Sequence, residues 1–346
     1  MNILELNFEK SWRGGERQTL YNMQGFRNAG ITVELICRKG SPLEIKASKE
    51  GFTVYSFGSV FGVISFLLSK GRNYKIIHAQ TSHILTYCVF TKPFHKASVV
   101  FTRRVNFAPK GFFTKEKYLR TDKLVAISDS VKNILSNFCG RTDVTVISDI
   151  VVKTILNKER AEGIIRELNI NGKHIIGTTA ALTYEKDPLT MIEAIKKLKE
   201  VRNDFIFLHF GGGDMADIIK EKIKAYGLEQ TYFLMGYTEN VEDFFSLLDV
   251  FVMSSIEEGL GSSVLDAFIY KVPVVSTNAG GLKDLVGEGK GILCEIKNAS
   301  MIADGINVLL NNEAQKKAII NKAYDYVVSN HSMEYVTDQY CRLIKE

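Results

Sequence analysis

The feature that most restricts the fold is an alternation running the length of the chain. Short apolar stretches of strand length are each followed by a longer stretch with helical apolar spacing. A helix returning the chain to the same end of a sheet makes successive strands parallel, so the pattern predicts an α/β protein with parallel sheets covered on both faces. In the first half the predicted strands are residues 3–7, 32–37, 76–80, 98–102, 123–127 and 144–147. A second set follows at 174–179, 204–210, 232–235, 250–253, 272–276 and 291–294. The 346 residues suffice for two domains of ordinary size. The junction is expected within 148–160, giving domains 1–150 and 151–331 and a closing helical segment, 332–346, with Tyr335, Val336, Tyr340 and Leu343 for packing. No fixed-period repeat or low-complexity tract interrupts this.

Charge is divided unevenly between the halves. Residues 1–150 hold 22 Lys+Arg against 11 Asp+Glu, a balance of +11, while 151–346 hold 22 against 28, a balance of −6. A basic first half is suited to an anionic partner. The five cysteines, Cys37, Cys88, Cys139, Cys294 and Cys341, have no Cys-x-x-Cys spacing, which argues for reduced thiols and a cytoplasmic setting. The N-terminus runs directly into a strand and no uncharged apolar run approaches about 18 residues, so neither a signal peptide nor a membrane span is expected.

Chemistry concentrates between Ser254 and Gly281. A short buried strand at 250–253 leads to Gly259 and Gly261, which free the backbone, and Ser262 or Ser263 can cap the following helix. The N–H groups of such a helix start carry partial positive charge and suit a diphosphate. Glu258 and Asp266 flank this turn, one able to face a sugar and the other ribose hydroxyls. A purely structural alternative fits the same letters: Ser263 and Asp266 have the spacing of a capping box.

Glu258-x7-Asp266 resembles the Glu-x7-Glu region of the retaining glycosyltransferases of family 4, with Asp in second place, and the resemblance covers most of the chain. The resemblance implies the GT-B fold, two Rossmann-like parallel-sheet domains facing across a cleft, with a closing helix crossing back onto the first domain. It implies that Glu258 contacts the transferred sugar and Asp266 the nucleotide ribose, with the backbone at Gly261, Ser262 and Ser263 on the diphosphate. The segment from Gly177 to Leu189 is similar to the family motif in which an Arg and, five residues later, a Lys hold the diphosphate; Lys186 matches the Lys, and Ala181 stands at the Arg position. Arg103 and Arg104, where many members carry a His that contacts the donor sugar, are candidates to restore the missing cation at the donor site. They are equally readable as a solvated or lipid-facing patch.

Gly14-Gly15, between the first strand and an apolar helical face of Leu20, Met23 and Phe26, is similar to the family's first-domain glycine loop. Gly15 is expected on the donor side and Gly14 on the acceptor side. Gly212 and Tyr237 follow two successive strands of the second half and resemble loops that approach the nucleotide, Tyr237 near the base. His78 and His83 are expected as loop and cleft residues on the acceptor side, since their spacing is not that of a helical metal pair. No Asp-x-Asp is present, and no metal is inferred.

Residues 57–74 join an apolar helical face to Lys70 and Arg72, and residues 92–120 interleave Phe with Lys and Arg. Either could lie at the headgroups of an anionic bilayer, and the first could equally be a core helix. The expected function is transfer of a sugar from a UDP- or GDP-type donor to a glycan or lipid-linked acceptor, with no cofactor, at the cytoplasmic side of a membrane. A GT-B epimerase would instead turn over without acceptor. A non-catalytic nucleotide-sugar binding protein would release no nucleotide. Nucleic acid is not an expected partner, because no recognition motif accompanies the basic charge.

Overall fold

The structure, a computed structural model, describes residues 2–168 and 172–345. Met1, residues 169–171 and Glu346 lie outside them, and with them the outer ends of the expected first domain and closing helix. The chain divides into two compact units, one holding the residues up to Ile150 together with those from Asn330 onward, the other spanning Val151–Ser329.

The first unit is built on seven strands: β1 (Asn2–Asn7), β2 (Thr32–Arg38), β3 (Thr53–Phe57), β4 (Ile76–Ala79), β5 (Ser98–Arg103), β6 (Lys123–Ala126) and β7 (Val144–Val146). They form one parallel sheet in the order β3-β2-β1-β4-β5-β6-β7. The strand at Thr53–Phe57 is absent from the predicted set. It is an edge strand, half-buried over most of its length, so it lacks the buried apolar run that marks its neighbours. Phe57 therefore belongs to a strand, and the helix within 57–74 is Val60–Lys70, whose Val63, Phe66 and Leu67 enter the core.

The helix Gly14–Asn28 buries Leu20, Met23 and Phe26, and the closing helix Met333–Leu343 packs along it. Tyr340 meets Phe26 edge to face at 6.0 Å, while Tyr335 stays largely exposed. His331 Nδ1 lies 3.0 Å from the Asp149 carbonyl oxygen, and Gln18 exchanges two hydrogen bonds with the Ile150 backbone at 2.7 and 2.8 Å. The two places where the chain leaves and re-enters this unit are thereby tied to each other and to the helix Gly14–Asn28.

The second unit has six parallel strands: β8 (His174–Thr179), β9 (Phe205–Phe210), β10 (Tyr232–Gly236), β11 (Val250–Met253), β12 (Val274–Thr277) and β13 (Ile292–Cys294). Their order is β10-β9-β8-β11-β12-β13. Strand order reverses direction at β8 and β11, which places the loops after these strands at the switch point where open α/β sheets bind ligands. Ile192, Ile195 and Leu198 of the helix Pro188–Val201 share one core with Ile302, Ile306 and Leu309 of the helix Ala299–Asn311. Each such side chain contributes roughly 1.5–3 kcal/mol by leaving water.

Candidate functional site

The loops at the carboxyl ends of β8 and β11 are tied together by backbone and hydroxyl hydrogen bonds. Ile256 N–H donates to the Glu185 carbonyl at 2.9 Å, and Ser254 Oγ lies 2.9 Å from the carbonyl oxygens of both Lys186 and Asp187. Thr277 Oγ1, at the end of β12, donates to the Ser255 carbonyl at 2.6 Å. Asp187 takes a left-handed conformation, φ 46°, and its carboxylate caps the helix Pro188–Val201 by accepting from Thr190 N–H at 3.2 Å and Thr190 Oγ1 at 2.6 Å. The outcome is that Lys186, in the short turn Tyr184–Lys186, meets Glu258 from the next loop in a partly buried ion pair. Ser255 Oγ approaches the same carboxylate oxygen at 3.4 Å.

The helix after Glu258 runs Ser262–Ile269 and begins at Gly261, with no side chain capping it. The expected cap by Ser262 or Ser263 is thus corrected, and with it the capping-box alternative. Gly261 itself is the N-cap, at φ 101°, and a Cβ there would lie 2.5 Å from Leu282 Cδ2, so only glycine fits. Ser262 and Ser263 become the first two helical residues, and Ser263 Oγ turns away to donate to the Thr179 carbonyl at 3.1 Å. Asp266 sits in the second turn, mostly buried. Because the N-cap residue is glycine, it brings no side-chain oxygen of its own to the first N–H groups of the helix, and such a helix start suits an anionic ligand.

Gly212 lies in the loop after β9, with open space around its Cα. Gly211 N–H donates to the Gly236 carbonyl at 2.8 Å, joining this loop to the one that carries Tyr237, whose side chain is 71% exposed. His209, not singled out from the sequence, holds the β8 loop from below: Nε2 bonds the Ala180 carbonyl at 3.0 Å and Nδ1 the Tyr232 hydroxyl at 2.7 Å. Burial depresses its pKa to about 4, so it is neutral, with Nε2 the donor. A histidine inside an apolar strand, Phe-Ile-Phe-Leu-His-Phe, was the available signal.

In the first unit the candidates fall on a buried polar chain. β1 and β4 pair in the register that sets Glu5 beside His78. His78 Nδ1 lies 2.8 Å from Glu5 Oε1 and Nε2 lies 2.8 Å from Thr102 Oγ1, which in turn lies 2.9 Å from the Tyr340 hydroxyl. His78 is therefore a buried strand residue and not the loop residue expected, while His83 is exposed in the first turn of the helix Ser82–His95 against Tyr87. Gln80 donates to Glu5 at 2.7 Å and accepts from Arg104 at 3.2 Å, and Arg104 is also paired with Asp149. Glu5 is an acidic residue within a strand whose other residues are apolar or terminal, a sign that could have been read.

Gly14 and Gly15 open the helix Gly14–Asn28, and a Cβ on Gly15 would sit 3.8 Å from Arg104 Cδ. Glu16 accepts from Arg13 N–H at 2.8 Å, and desolvation raises its pKa. Arg103 and Arg104 are not a solvated or lipid-facing patch, since both point inward. Arg104 reaches the glycine loop, whereas Arg103 is only 2% exposed and binds the Tyr118 hydroxyl at 3.0 Å and the Phe107 carbonyl. The two arginines are thus separated in role: Arg104 lies beside Gly15 and Arg103 is committed to the interior.

Among the described residues, no group of three or more His, Cys, Asp or Glu side chains could hold a metal ion, and no helix is long and apolar enough to cross a membrane.

Residues 12–151 match the family described as Glycosyltransferase Family 4, and residues 161–326 match Glycosyl transferases group 1. The chain is 24% identical over 330 residues to 2-deoxystreptamine N-acetyl-D-glucosaminyltransferase of Niallia circulans, covering 87% of this chain and 84% of that protein. It is 28% identical over 156 residues to a lipopolysaccharide core biosynthesis glycosyltransferase of Rhizobium meliloti, covering 45% of each, so the match spans about half of that relative's length. The crystal structure of Anabaena Alr3699/HepE in complex with UDP superposes with a TM-score of 0.88 at 18% identity, over 100% of both chains. With each half matched by one of the two sequence families and the whole sharing this architecture, the chain belongs to the GT-B glycosyltransferases of family 4, the glycosyl transferases group 1.

Proposed function

We propose that this glycosyltransferase retains anomeric configuration and moves a sugar from a UDP- or GDP-type donor to the hydroxyl of a glycan or lipid-linked acceptor in bacterial-type cell-surface glycan synthesis. The observation that carries the reading is the meeting of Lys186 with Glu258, which lies three residues before the helix start at Gly261. A cation, a carboxylate and a row of backbone N–H groups match a diphosphate with a sugar on its far side. The Anabaena structure with UDP and the Rhizobium relative's role in lipopolysaccharide core synthesis support the donor type and the glycan class.

In this reading Lys186 and the backbone at Gly261, Ser262 and Ser263 hold the diphosphate and stabilise charge as the glycosidic bond breaks. Glu258 holds the donor sugar, Asp266 the ribose, and Tyr237 with the Gly212 loop the base. The leaving phosphate takes the proton of the attacking hydroxyl as the new bond forms on the same face, so no nucleophilic carboxylate or separate base is assigned. Gly15 and Arg104 add to the donor side, with Gly14, His78 and His83 toward the acceptor, His78 acting through Glu5 and Thr102 rather than by contact. Arg103, proposed from the sequence as a catalytic cation, would act only through Tyr118 and the Phe107 loop. Transfer is assigned without a metal, and the inferred location is the inner face of a cytoplasmic membrane.

Thermal unfolding with UDP, GDP, ADP, CDP and dTDP tests the donor site, because a ligand that binds only the folded state raises Tm. One diphosphate raising Tm, with a smaller rise in Asp266→Ala relative to its own ligand-free Tm, is the expected result. No shift with any of the five would overturn the reading.

A further inference from the structure

The first unit displays phenylalanine where a water-facing surface has no use for it. Phe112 and Phe113 are 70% and 86% exposed, and Phe90, Phe94 and Phe107 are all more than half exposed. Phe90 and Phe94 are four apart on the helix Ser82–His95 and so share a face. The helix Phe112–Leu119 lies alongside: Lys117 Nζ donates to the Ser82 carbonyl at 2.6 Å and approaches Thr86 Oγ1 at 3.2 Å, and Lys92 Nζ reaches the Arg120 carbonyl at 3.0 Å. On the other side the helix Val60–Lys70 packs against Ser82–His95, with Phe61 exposed and Arg72 Nε donating to the Phe94 carbonyl at 2.7 Å. The aromatic side chains thus come from adjoining segments of one region.

The same segment is strongly basic. Residues 90–120 contain eight Lys and Arg and a single acid, Glu116; Arg103 and Arg104 are turned inward, while Lys96, Lys110, Lys115 and Arg120 are exposed and Lys92 and Lys117 partly so. A second copy of this chain would bring like charge against like charge, so self-association through this region is disfavoured. An anionic lipid surface instead satisfies both features: phenyl rings enter the acyl boundary while lysine stems lie along it and their ammonium groups reach phosphates. Arg103 anchors the loop at Phe107. Its guanidinium is buried and grips the Phe107 carbonyl and the Tyr118 hydroxyl, with the Phe107 ring centred 5.2 Å away.

We infer that the loop and helices carrying Phe90, Phe94, Phe107, Phe112 and Phe113 dock on an anionic bilayer. The docking loop starts at Arg104, which packs on Gly15, so a lipid-linked acceptor seated in that bilayer arrives beside the glycine loop. Only this purpose rests on the transferase reading. Vesicle binding needs no donor sugar and stands or falls separately.

The test is co-sedimentation of the full chain with phosphatidylglycerol vesicles and with phosphatidylcholine vesicles, at low and high salt. The wild type is expected to bind phosphatidylglycerol at least about tenfold better, with salt weakening it. Phe112→Ser/Phe113→Ser and Phe90→Ser/Phe94→Ser should each lower that binding about tenfold, since each removes two rings from the acyl boundary. Ile218→Ser, an exposed apolar position in the second unit, should bind like the wild type. Unchanged Tm in every variant establishes that folding is intact. Equal binding to both lipids, wild-type binding by both phenylalanine variants, or a stable dimer that those substitutions dissociate would overturn the docking assignment.

Discussion

Position 181 is alanine, so the positive charge brought to the β8–β11 loops rests heavily on Lys186. Without donor its ammonium is held by Glu258, and a diphosphate would compete for the same cation. Lys186→Met should lower kcat about a hundredfold or more and raise the donor KM, because the charge is lost both on binding and as the leaving group forms. Glu258→Gln should lower kcat while the nucleoside diphosphate still raises Tm, since the amide releases Lys186 without removing it. Steady-state release of nucleoside diphosphate, with Lys186→Arg as the variant that keeps charge, separates the two; equal kinetics in Lys186→Met and wild type would remove Lys186 from the site. That Glu258 and Asp266 lie on either side of one helix start was readable because their relation is local, eight residues apart around one turn. The partner of Ser263 was not, because the Thr179 carbonyl lies 84 positions away and a serine near a helix start reads first as its cap.

At the level of elements, strands such as Phe205–Phe210 and Val250–Met253 were legible from their unbroken apolar runs, which parallel sheets require when both faces are covered. Thr53–Phe57 escaped because an edge strand need not be buried on both sides. The pairing of Glu5 with His78 depends on which strands become neighbours, and β1 and β4 are separated by two other strands in sequence. Helix contacts are hidden in the same way. Gly25 in the helix Gly14–Asn28 reads as a weak helix residue, yet a Cβ there would stand 2.0 Å from Thr337 Oγ1 of the closing helix. Gly25→Ala gains intrinsic helix propensity and should still destabilise the first unit, by roughly 1–3 kcal/mol, because the two helices must separate. Thr337→Ala in the same chain should recover most of the loss, its remaining Cβ contact being 3.3 Å. Chemical denaturation of both variants checks this, and a Gly25→Ala protein as stable as the wild type would show that the helices are not closely packed.

Across the whole molecule the two units share a vulnerability to acid, since each buries histidine in neutral form. Burial lowers the pKa of His95 and His331 in the first unit, and takes His209 in the second from 6.5 to about 4. Each is favoured neutral in the folded state, so the unfolded chain binds protons at a higher pH than the folded one. Stability from these groups is fully present above about pH 6.5 and is lost as pH falls toward the folded values. For His209 the loss accumulates to on the order of 3 kcal/mol by about pH 4. His209→Gln removes the titrating group at some cost in its bonds to the Ala180 carbonyl and Tyr232 hydroxyl, so it should lower Tm at neutral pH and flatten the fall with acid. Carboxylates titrate over the lower part of the same range, which makes the difference between wild type and variant the quantity to read. Tm followed from neutral pH down to about pH 4 should show the two curves converging as His209 in the wild type approaches protonation; parallel curves would mean that His209 is not held neutral beneath the β8 loop.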